Sequence, residues 1–308
     1  MSILVLATSP IVEAQLAALR RLAPEEVIET DPDRADATAV ETILAFRLPA
    51  GLVERFPNLR FLAGAGAGVD DLLATPLPAR LAVTRANDPA QAVRMAQYVA
   101  LVVLRWHRDL ARYEAQQRRA EWSRSPAETE QAWTVGLMGL GTQGRAVARA
   151  LVALGYPVRA WTRTPREHPG VTCFATDASL GAFAAGTRVL VCLLPLTPRT
   201  RGLLAAPLFA QLPRGAYVVN VARGALLDEA DLLAALAAGQ LAGAALDVYA
   251  REPLAPDDPL WRDGRILATP HIAAIPDPDT AMRQLLDNLA LARRGEPLRN
   301  LVDRQRGY

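Results

Sequence analysis

Lysine is absent from this chain: all 34 basic side chains among its 308 residues are arginine. Without an ε-amino group it cannot form a lysine Schiff base, anchor pyridoxal phosphate or build the lysine-dependent phosphate loop of the common nucleoside triphosphatases. Cysteine is nearly absent too. Cys173 and Cys192 form no CxxC pair, which excludes a disulfide framework and a thiolate zinc site. Three scattered histidines leave no His-rich centre, so no metal is expected. A net charge of only +2 gives no reason to expect a nucleic-acid or membrane partner. The apolar run at 98–104 is broken by Arg105 and is far too short to span a bilayer. Residues 1–10 lack a basic leader region and carry an apolar run of strand length. The expectation is a cytoplasmic α/β protein whose chemistry runs on arginine, carboxylate and histidine.

What is present is an alternation of short β-branched runs with helical patterns, as in doubly wound parallel sheets. Strands are predicted at 3–7, 43–46, 60–63 and 81–84, with a helix over 11–22. Asn87-Asp88-Pro89 can cap a helix predicted to continue to about residue 119. Its predicted buried stripe is Val93, Ala96, Val99, Ala100, Val103 and Leu104, and its charged end at 112–124, with Trp122, is expected to project as an arm. A second group of strands follows at 133–138, 158–161, 189–194, 217–221, 244–248 and 266–268, with helices at 145–154 and 228–238. An amphipathic helix over 279–294 closes the pattern. The expected fold is two Rossmann-like or flavodoxin-like parallel-sheet domains. Residues 1–88 and 274–308 form a substrate domain, and 89–273 are inserted as a dinucleotide-binding domain with a long linking helix.

Gly139-Leu140-Gly141-Thr142-Gln143-Gly144 places GxGxxG directly after a strand and before a helix. Gly139 permits the tight turn, Gly141 lets backbone approach a pyrophosphate, and Gly144 allows close helix–strand packing. The first-turn amides, at Thr142 and Gln143, face the anion. Glycine in any strand-to-helix turn can give this spacing; the flanking strand and helix make it a dinucleotide site. The next strand ends Ala160-Trp161-Thr162-Arg163-Thr164, with no acid to accept hydrogen bonds from an adenosine ribose. A carboxylate there would repel a 2′-phosphate, whereas the Arg163 guanidinium binds one. Trp161, Arg163 and Thr164 are therefore cofactor candidates, and NADP(H) is expected over NAD(H). The plainer alternative is that Arg163 and Arg166 are solvated surface charges.

Three further motifs each place polar residues just after a strand: Asn220-Val221-Ala222-Arg223-Gly224, Arg251-Glu252-Pro253-Leu254 and Thr269-Pro270-His271-Ile272-Ala273. Ligands in such sheets bind outside the carboxyl ends of the strands, so the three loops can serve one crevice. Arg223 offers a planar fork to a substrate carboxylate, and a protonated His271 can deliver a proton to a carbonyl oxygen. Glu252 can hold the imidazole and favour its charged form. Taken singly, each residue reads more readily as a loop or cap side chain; their shared strand-end position reverses this and makes them a catalytic set for a 2-oxo acid.

On these residues the chain resembles NADP-dependent members of the D-2-hydroxyacid dehydrogenase family. The resemblance also rests on Gly64-Ala65-Gly66-Ala67-Gly68-Val69-Asp70, Leu193-Leu194-Pro195-Leu196-Thr197-Pro198, Leu246-Asp247-Val248 and the terminal Val302-Asp303-Arg304-Gln305-Arg306-Gly307-Tyr308. It spans essentially the whole length, and the terminal segment with the 161–164 tip points to the subgroup that reduces glyoxylate and hydroxypyruvate. The resemblance implies His271 as proton donor, Glu252 as its partner and Arg223 as the substrate-binding arginine. It also implies that amides around Ala67 and Gly68 hold the substrate carboxylate and that Asp247 meets the nicotinamide carboxamide. Leu194, Pro195, Val221 and Ala222 are then expected along the cofactor cleft. Gln143, where such loops more often carry an apolar residue, and Phe46, where close relatives carry Trp, depart from the pattern. The implied assembly is a homodimer through the cofactor domains, with Trp122 near the partner. Two alternatives stay open: reduction of a bulkier 2-oxo acid, and a cofactor-sensing binding module of the same fold without turnover.

Overall fold

The computed structural model describes residues 1–126 and 128–307; Tyr308, last in the terminal segment quoted above, lies outside the described residues. The elements run β1 (Ser2–Val5), α1 (Pro10–Leu22), β2 (Val27–Glu29), β3 (Val40–Ala45), β4 (Phe61–Gly64), α2 (Asp70–Leu73) and β5 (Ala82–Arg85). Next come α3 (Pro89–His107), α4 (Leu110–Arg118), β6 (Val135–Met138), α5 (Thr142–Ala153), β7 (Val158–Thr162), β8 (Val171–Ala175) and α6 (Leu180–Ala185). The chain continues with β9 (Val189–Cys192), α7 (Ala206–Phe209), β10 (Ala216–Asn220), α8 (Glu229–Ala237), β11 (Leu241–Leu246), β12 (Ile266–Ala268) and α9 (Pro278–Arg294). It divides into unit 1, Met1–Gln91 with Ile275–Tyr308, and unit 2, Ala92–Ala274.

Unit 1 is built on a parallel sheet of order β2-β1-β3-β4-β5. Successive strand side chains point to opposite faces, so Ile3, Val5, Leu44 and Phe61 pack under α1 and α9 while Leu4, Ile43, Leu62 and Val83 fill the other core. Local chemistry starts and stops the helices. Ser9 caps α1 ahead of Pro10, and Asp277 accepts from the Thr280 amide at 2.8 Å ahead of Pro278. Gly295, at φ 70°, ends α9 in the left-handed conformation that glycine adopts cheaply. The end of α9 is also tied electrostatically. Buried Glu41 on β3 accepts from Arg60 Nε and Arg293 Nε, each at 2.8 Å, and Arg293 also grips both oxygens of Glu26.

Unit 2 carries a seven-stranded parallel sheet, β12-β11-β10-β9-β6-β7-β8. Strand order reverses between β6 and β9, which opens a crevice at their carboxyl ends. Both faces are covered: Val135, Leu137, Val189 and Val219 pack with α3 and α5, while Met138, Leu190 and Val218 pack with α6, α7 and α8. Gly243 leaves room for the Trp106 ring of α3, which stacks on Tyr217 with ring centroids 4.3 Å apart.

The expected single helix from 87 to 119 is two. Asp88 caps α3 by accepting from the Ala90 amide at 2.8 Å, but Asp109 turns left-handed at φ 51° and a separate α4 follows. α4 folds back through the Arg105–Glu114 ion pair, so the charged segment does not project as one continuous arm. Of the predicted stripe, Ala96, Val99 and Val103 are buried, but Val93 is exposed. Two strands, β2 and β8, are not foreshadowed by sequence patterning. Each lies at a sheet edge with half-exposed residues, where the apolar signal of a central strand is missing.

Candidate active site

The glycine loop follows β6 at the reversal of strand order. Gly139 adopts φ +105°, where a side chain would be strained, and a Cβ there would stand 3.1 Å from the Leu193 carbonyl oxygen. This close approach seats the loop against the exit of β9, where Leu194 and Pro195 are half-buried. A Cβ on Gly144 would lie 2.3 Å from the Gly139 carbonyl oxygen, so only glycine lets α5 start this close to the strand. Gly141, the N-cap residue of α5, has φ −75°, and a Cβ on it would meet nothing within 4 Å, so its missing side chain serves no packing purpose inside the protein. The first turn of α5 has no acidic residue, and its amides at Thr142 and Gln143 begin a 12-residue helix. Gly141 and the amides of Thr142 and Gln143 are the groups of this loop that could hold a phosphate.

At the end of β7, Trp161 is buried in the core and its Nε1 donates to the Thr176 carbonyl at 2.9 Å. Thr162 is buried as well, with its hydroxyl donating to the Thr164 carbonyl at 2.8 Å. Arg163 and Thr164 are exposed just beyond the tip.

Arg223 follows β10 in a turn organised by Asn220, to which the sequence alone assigns no role. The fully buried Asn220 amide donates to the Arg223 carbonyl at 3.0 Å and accepts from the Ala222 amide at 3.2 Å. Val221 and Ala222 are buried within the turn. A Cβ on Gly224 would fall 1.8 Å from the Tyr249 carbonyl carbon. Glycine there presses the Arg223 turn onto the Tyr249–Ala250 backbone, and Arg223 thereby sits beside the loop carrying Glu252.

Glu252 accepts the Tyr249 amide at Oε1, 3.1 Å, and pairs through Oε2 with His271 Nδ1 at 2.8 Å. A carboxylate only accepts, so His271 Nδ1 is the donor and Nε2 is the atom available to a substrate oxygen. Burial pushes the Glu252 carboxyl upward, but the bond and charge of His271, the Tyr249 amide and the Arg223 guanidinium outweigh it and hold it below the ordinary carboxylate range. The pair is ionised on the Glu252 side and only partly shielded from solvent.

Asp247, at the end of β11, is buried; Thr269 Oγ1 and the Ile272 amide donate to Oδ1 at 2.6 and 2.8 Å, and the Ala273 amide donates to Oδ2 at 2.7 Å. It therefore holds the loop around His271. Thr269 and Asn220 are polar residues at strand ends, and that position is the available sequence signal for them. In unit 1, Gln15 on α1 is fully buried and donates through Nε2 to the Ala65 carbonyl at 2.7 Å, anchoring the loop that continues to Ala67 and Gly68. A Cβ on Gly66 would meet the Phe46 ring at 2.9 Å, so this loop also lies close against that ring.

No group of His, Cys, Asp and Glu able to hold a metal ion occurs among the described residues, and no helix among them is long and apolar enough to cross a membrane. Residues 100–273 match the family described as D-isomer specific 2-hydroxyacid dehydrogenase, NAD binding domain. A glyoxylate/hydroxypyruvate reductase A of Yersinia enterocolitica is 40% identical over 281 residues, covering 89% of this chain and 90% of that protein. The protein of the same name from Salmonella newport is 42% identical over 257 residues, 82% of each chain. Among solved structures, a D-isomer specific 2-hydroxyacid dehydrogenase from Xanthobacter autotrophicus Py2, in complex with NADPH and MES, superposes with a TM-score of 0.91 at 41% identity, covering 100% of this chain and 99% of that one. An NADPH-dependent glyoxylate/hydroxypyruvate reductase from Sinorhizobium meliloti, in complex with NADP and sulfate, gives a TM-score of 0.92 at 35% identity over 100% of both chains.

Proposed function

We propose that this chain, which belongs to the D-isomer specific 2-hydroxyacid dehydrogenase family, is an NADPH-dependent reductase of small 2-oxo acids, converting glyoxylate to glycolate and hydroxypyruvate to D-glycerate. The observation that carries the proposal is the 2.8 Å pair of His271 Nδ1 with Glu252 Oε2, beside an Arg223 turn that Gly224 locks onto the same backbone. Gly139, Gly141, Gly144 and the amides of Thr142 and Gln143 would hold the pyrophosphate, with Arg163 and Thr164 at the adenosine end and Trp161 behind them. Leu194, Pro195, Val221 and Ala222 would flank the rest of the cofactor, and the remaining acceptor direction of Asp247 Oδ2 suits a carboxamide N–H. When bound, the dihydronicotinamide supplies the hydride. His271, aimed by Glu252, gives the proton from Nε2 to the substrate's carbonyl oxygen. Arg223 binds the substrate carboxylate through its two-pronged guanidinium, and the amides of Ala67 and Gly68 are proposed as further carboxylate donors.

Unit 1 is read as the substrate domain. A homodimer belongs to the same proposal and is supported by Trp122, which is 93% exposed; light scattering that gave a monomer mass at micromolar concentration would count against it. A cytoplasmic location is supported by two free cysteines. The deciding experiment is steady-state turnover of glyoxylate, hydroxypyruvate, pyruvate and phenylpyruvate with NADPH and NADH. Fastest turnover of the two small acids with NADPH is expected. A preference for phenylpyruvate would move the substrate class to bulkier acids, and absence of turnover with all four would leave a cofactor-sensing module.

A further inference from the structure

Beneath the His271 loop lies a polar set of Tyr98 on α3, Thr269 after β12 and Asp247 after β11, in which Tyr98 and Asp247 are buried and Tyr98 and Thr269 have no part in the reaction proposed above. The Thr269 hydroxyl donates to Asp247 Oδ1 at 2.6 Å. Its oxygen is left as acceptor, so the Tyr98 hydroxyl, also 2.6 Å away, is the donor to it. Burial, eased by the bond to Thr269 and reinforced by the Asp247 charge, pushes the Tyr98 phenol up to about 12, so this hydroxyl keeps its proton at every working pH. The remaining donors to Asp247 are the amides of Ile272 and Ala273. The carboxylate therefore grips the chain both before and after His271. Tyr249 braces the same turn, with its hydroxyl 2.9 Å from the Leu246 carbonyl and 3.1 Å from that of Thr269.

His271 needs such bracing. Its φ of 57° lies in the left-handed region, which costs an L residue energy unless the surroundings over-determine it. The direction of its imidazole is thus set by what holds residues 269, 272 and 273. Glu252 fixes one ring nitrogen but not the backbone from which the ring projects.

We propose that Tyr98 is a positioning residue for the reaction, acting through Thr269 and Asp247 to set the conformation of the His271 loop. The inference rests on the reading of His271 as proton donor. Removing the phenol hydroxyl leaves Thr269 unpaired on one side and loosens its grip on Asp247, in a network whose members polarise one another. A misplacement well under an ångström at the ring then slows proton delivery without touching the cofactor loop.

The test is steady-state reduction of glyoxylate with NADPH by the full chain carrying Tyr98→Phe, Thr269→Val, Thr269→Ser, the Tyr98→Phe/Thr269→Val pair, or His271→Ala. Tyr98→Phe and Thr269→Val should each lower kcat about 10-fold while the KM for NADPH stays within about 2-fold of wild type. Thr269→Ser, which keeps the hydroxyl, should stay near wild type. The double variant should be no slower than Thr269→Val alone, because both changes break one relay. Wild-type kcat in Tyr98→Phe beside an impaired His271→Ala would overturn the proposal, as would equal losses in Thr269→Ser and Thr269→Val or losses that multiply. Wild-type turnover in His271→Ala would instead remove the proton-donor reading on which the relay rests. Should Tyr98→Phe fail to fold, the Val and Ser variants at 269 decide the matter.

Discussion

Glu252 Oε2 lies 2.8 Å from His271 Nδ1, although the two residues are 19 positions apart and follow different strands. The carboxylate is held independently by the Tyr249 amide, so the imidazole meets an acceptor already in place. Its pKa is held low by that amide, by His271 and by Arg223 against the opposing effect of burial, so it stays charged into mildly acid solution.

The pH dependence of reduction follows from that charge. With Glu252 ionised, the proton that matters is the one His271 delivers to the carbonyl oxygen. Reduction consumes that proton and oxidation of the hydroxy acid releases it, so reduction should slow and oxidation quicken as pH rises. Glu252→Gln removes the charge that favours the imidazolium, so its reduction profile should fall away at lower pH. His271→Ala should lose about 100- to 10,000-fold in kcat. Superimposable pH–rate profiles for wild type and Glu252→Gln would contradict the pairing.

Two glycines of one loop should behave differently. Gly144→Ala drives a Cβ to within 2.3 Å of the Gly139 carbonyl, so thermal stability and NADPH binding should both fall. Gly141→Ala meets nothing within 4 Å and has ordinary φ, so its melting temperature should match wild type. Its NADPH affinity, measured by protein fluorescence quenching, should still drop about 10-fold or more if the pyrophosphate approaches there. Unchanged affinity in Gly141→Ala would place the phosphates elsewhere.

For cofactor preference, Arg163→Ala is the informative change. The KM for NADPH should rise about 10-fold with little change for NADH, because one charge-assisted contact to a 2′-phosphate is lost. Introducing an acid at Thr162 is a poorer test than the sequence suggests. Thr162 is buried and its hydroxyl is bonded to the Thr164 carbonyl, so Thr162→Asp would bury a carboxylate. Equal effects of Arg163→Ala on both cofactors would reject the 2′-phosphate assignment.

The Glu26–Arg293–Glu41 cluster should make unit 1 acid-sensitive. The bond from Arg293 holds the Glu26 carboxyl below its ordinary range against partial burial. A carboxylate with a depressed pKa adds stability above its unfolded value and loses it as pH falls through the folded one. Urea midpoints should therefore drop between about pH 5 and pH 3. Arg293→Met should cost about 3 kcal/mol at neutral pH, because Glu41 stays buried with Arg60 as its remaining partner, and should flatten the acid dependence. A midpoint in Arg293→Met equal to wild type at pH 7 would show the cluster to be energetically silent.

Much of the site is legible in the sequence because its signals are local. A turn that needs Gly139 at positive φ, a helix that starts against Gly144 and a strand tip with Arg163 in place of an acid all express backbone geometry within a few residues. The alternation of short apolar runs with helical periods likewise sets the two-sheet α/β class, and Asn87-Asp88-Pro89 marks where α3 starts. Strand order and register are not written locally, because they arise from pairings between distant segments. Only the folded sheet puts Glu252 against His271, turns Asp247 into the clamp of the 269–273 loop and brings Tyr98 beneath it. The break at Asp109 is hidden in the sequence because charged residues and good helix formers continue on both sides of it; the left-handed Asp109 and the Arg105–Glu114 ion pair across the break are visible only in the fold. Glu26, Glu41, Arg60 and Arg293 read singly as surface charges; tertiary packing alone buries Glu41 and makes the others its partners, since burial of a carboxylate is tolerated only where opposite charge arrives with it.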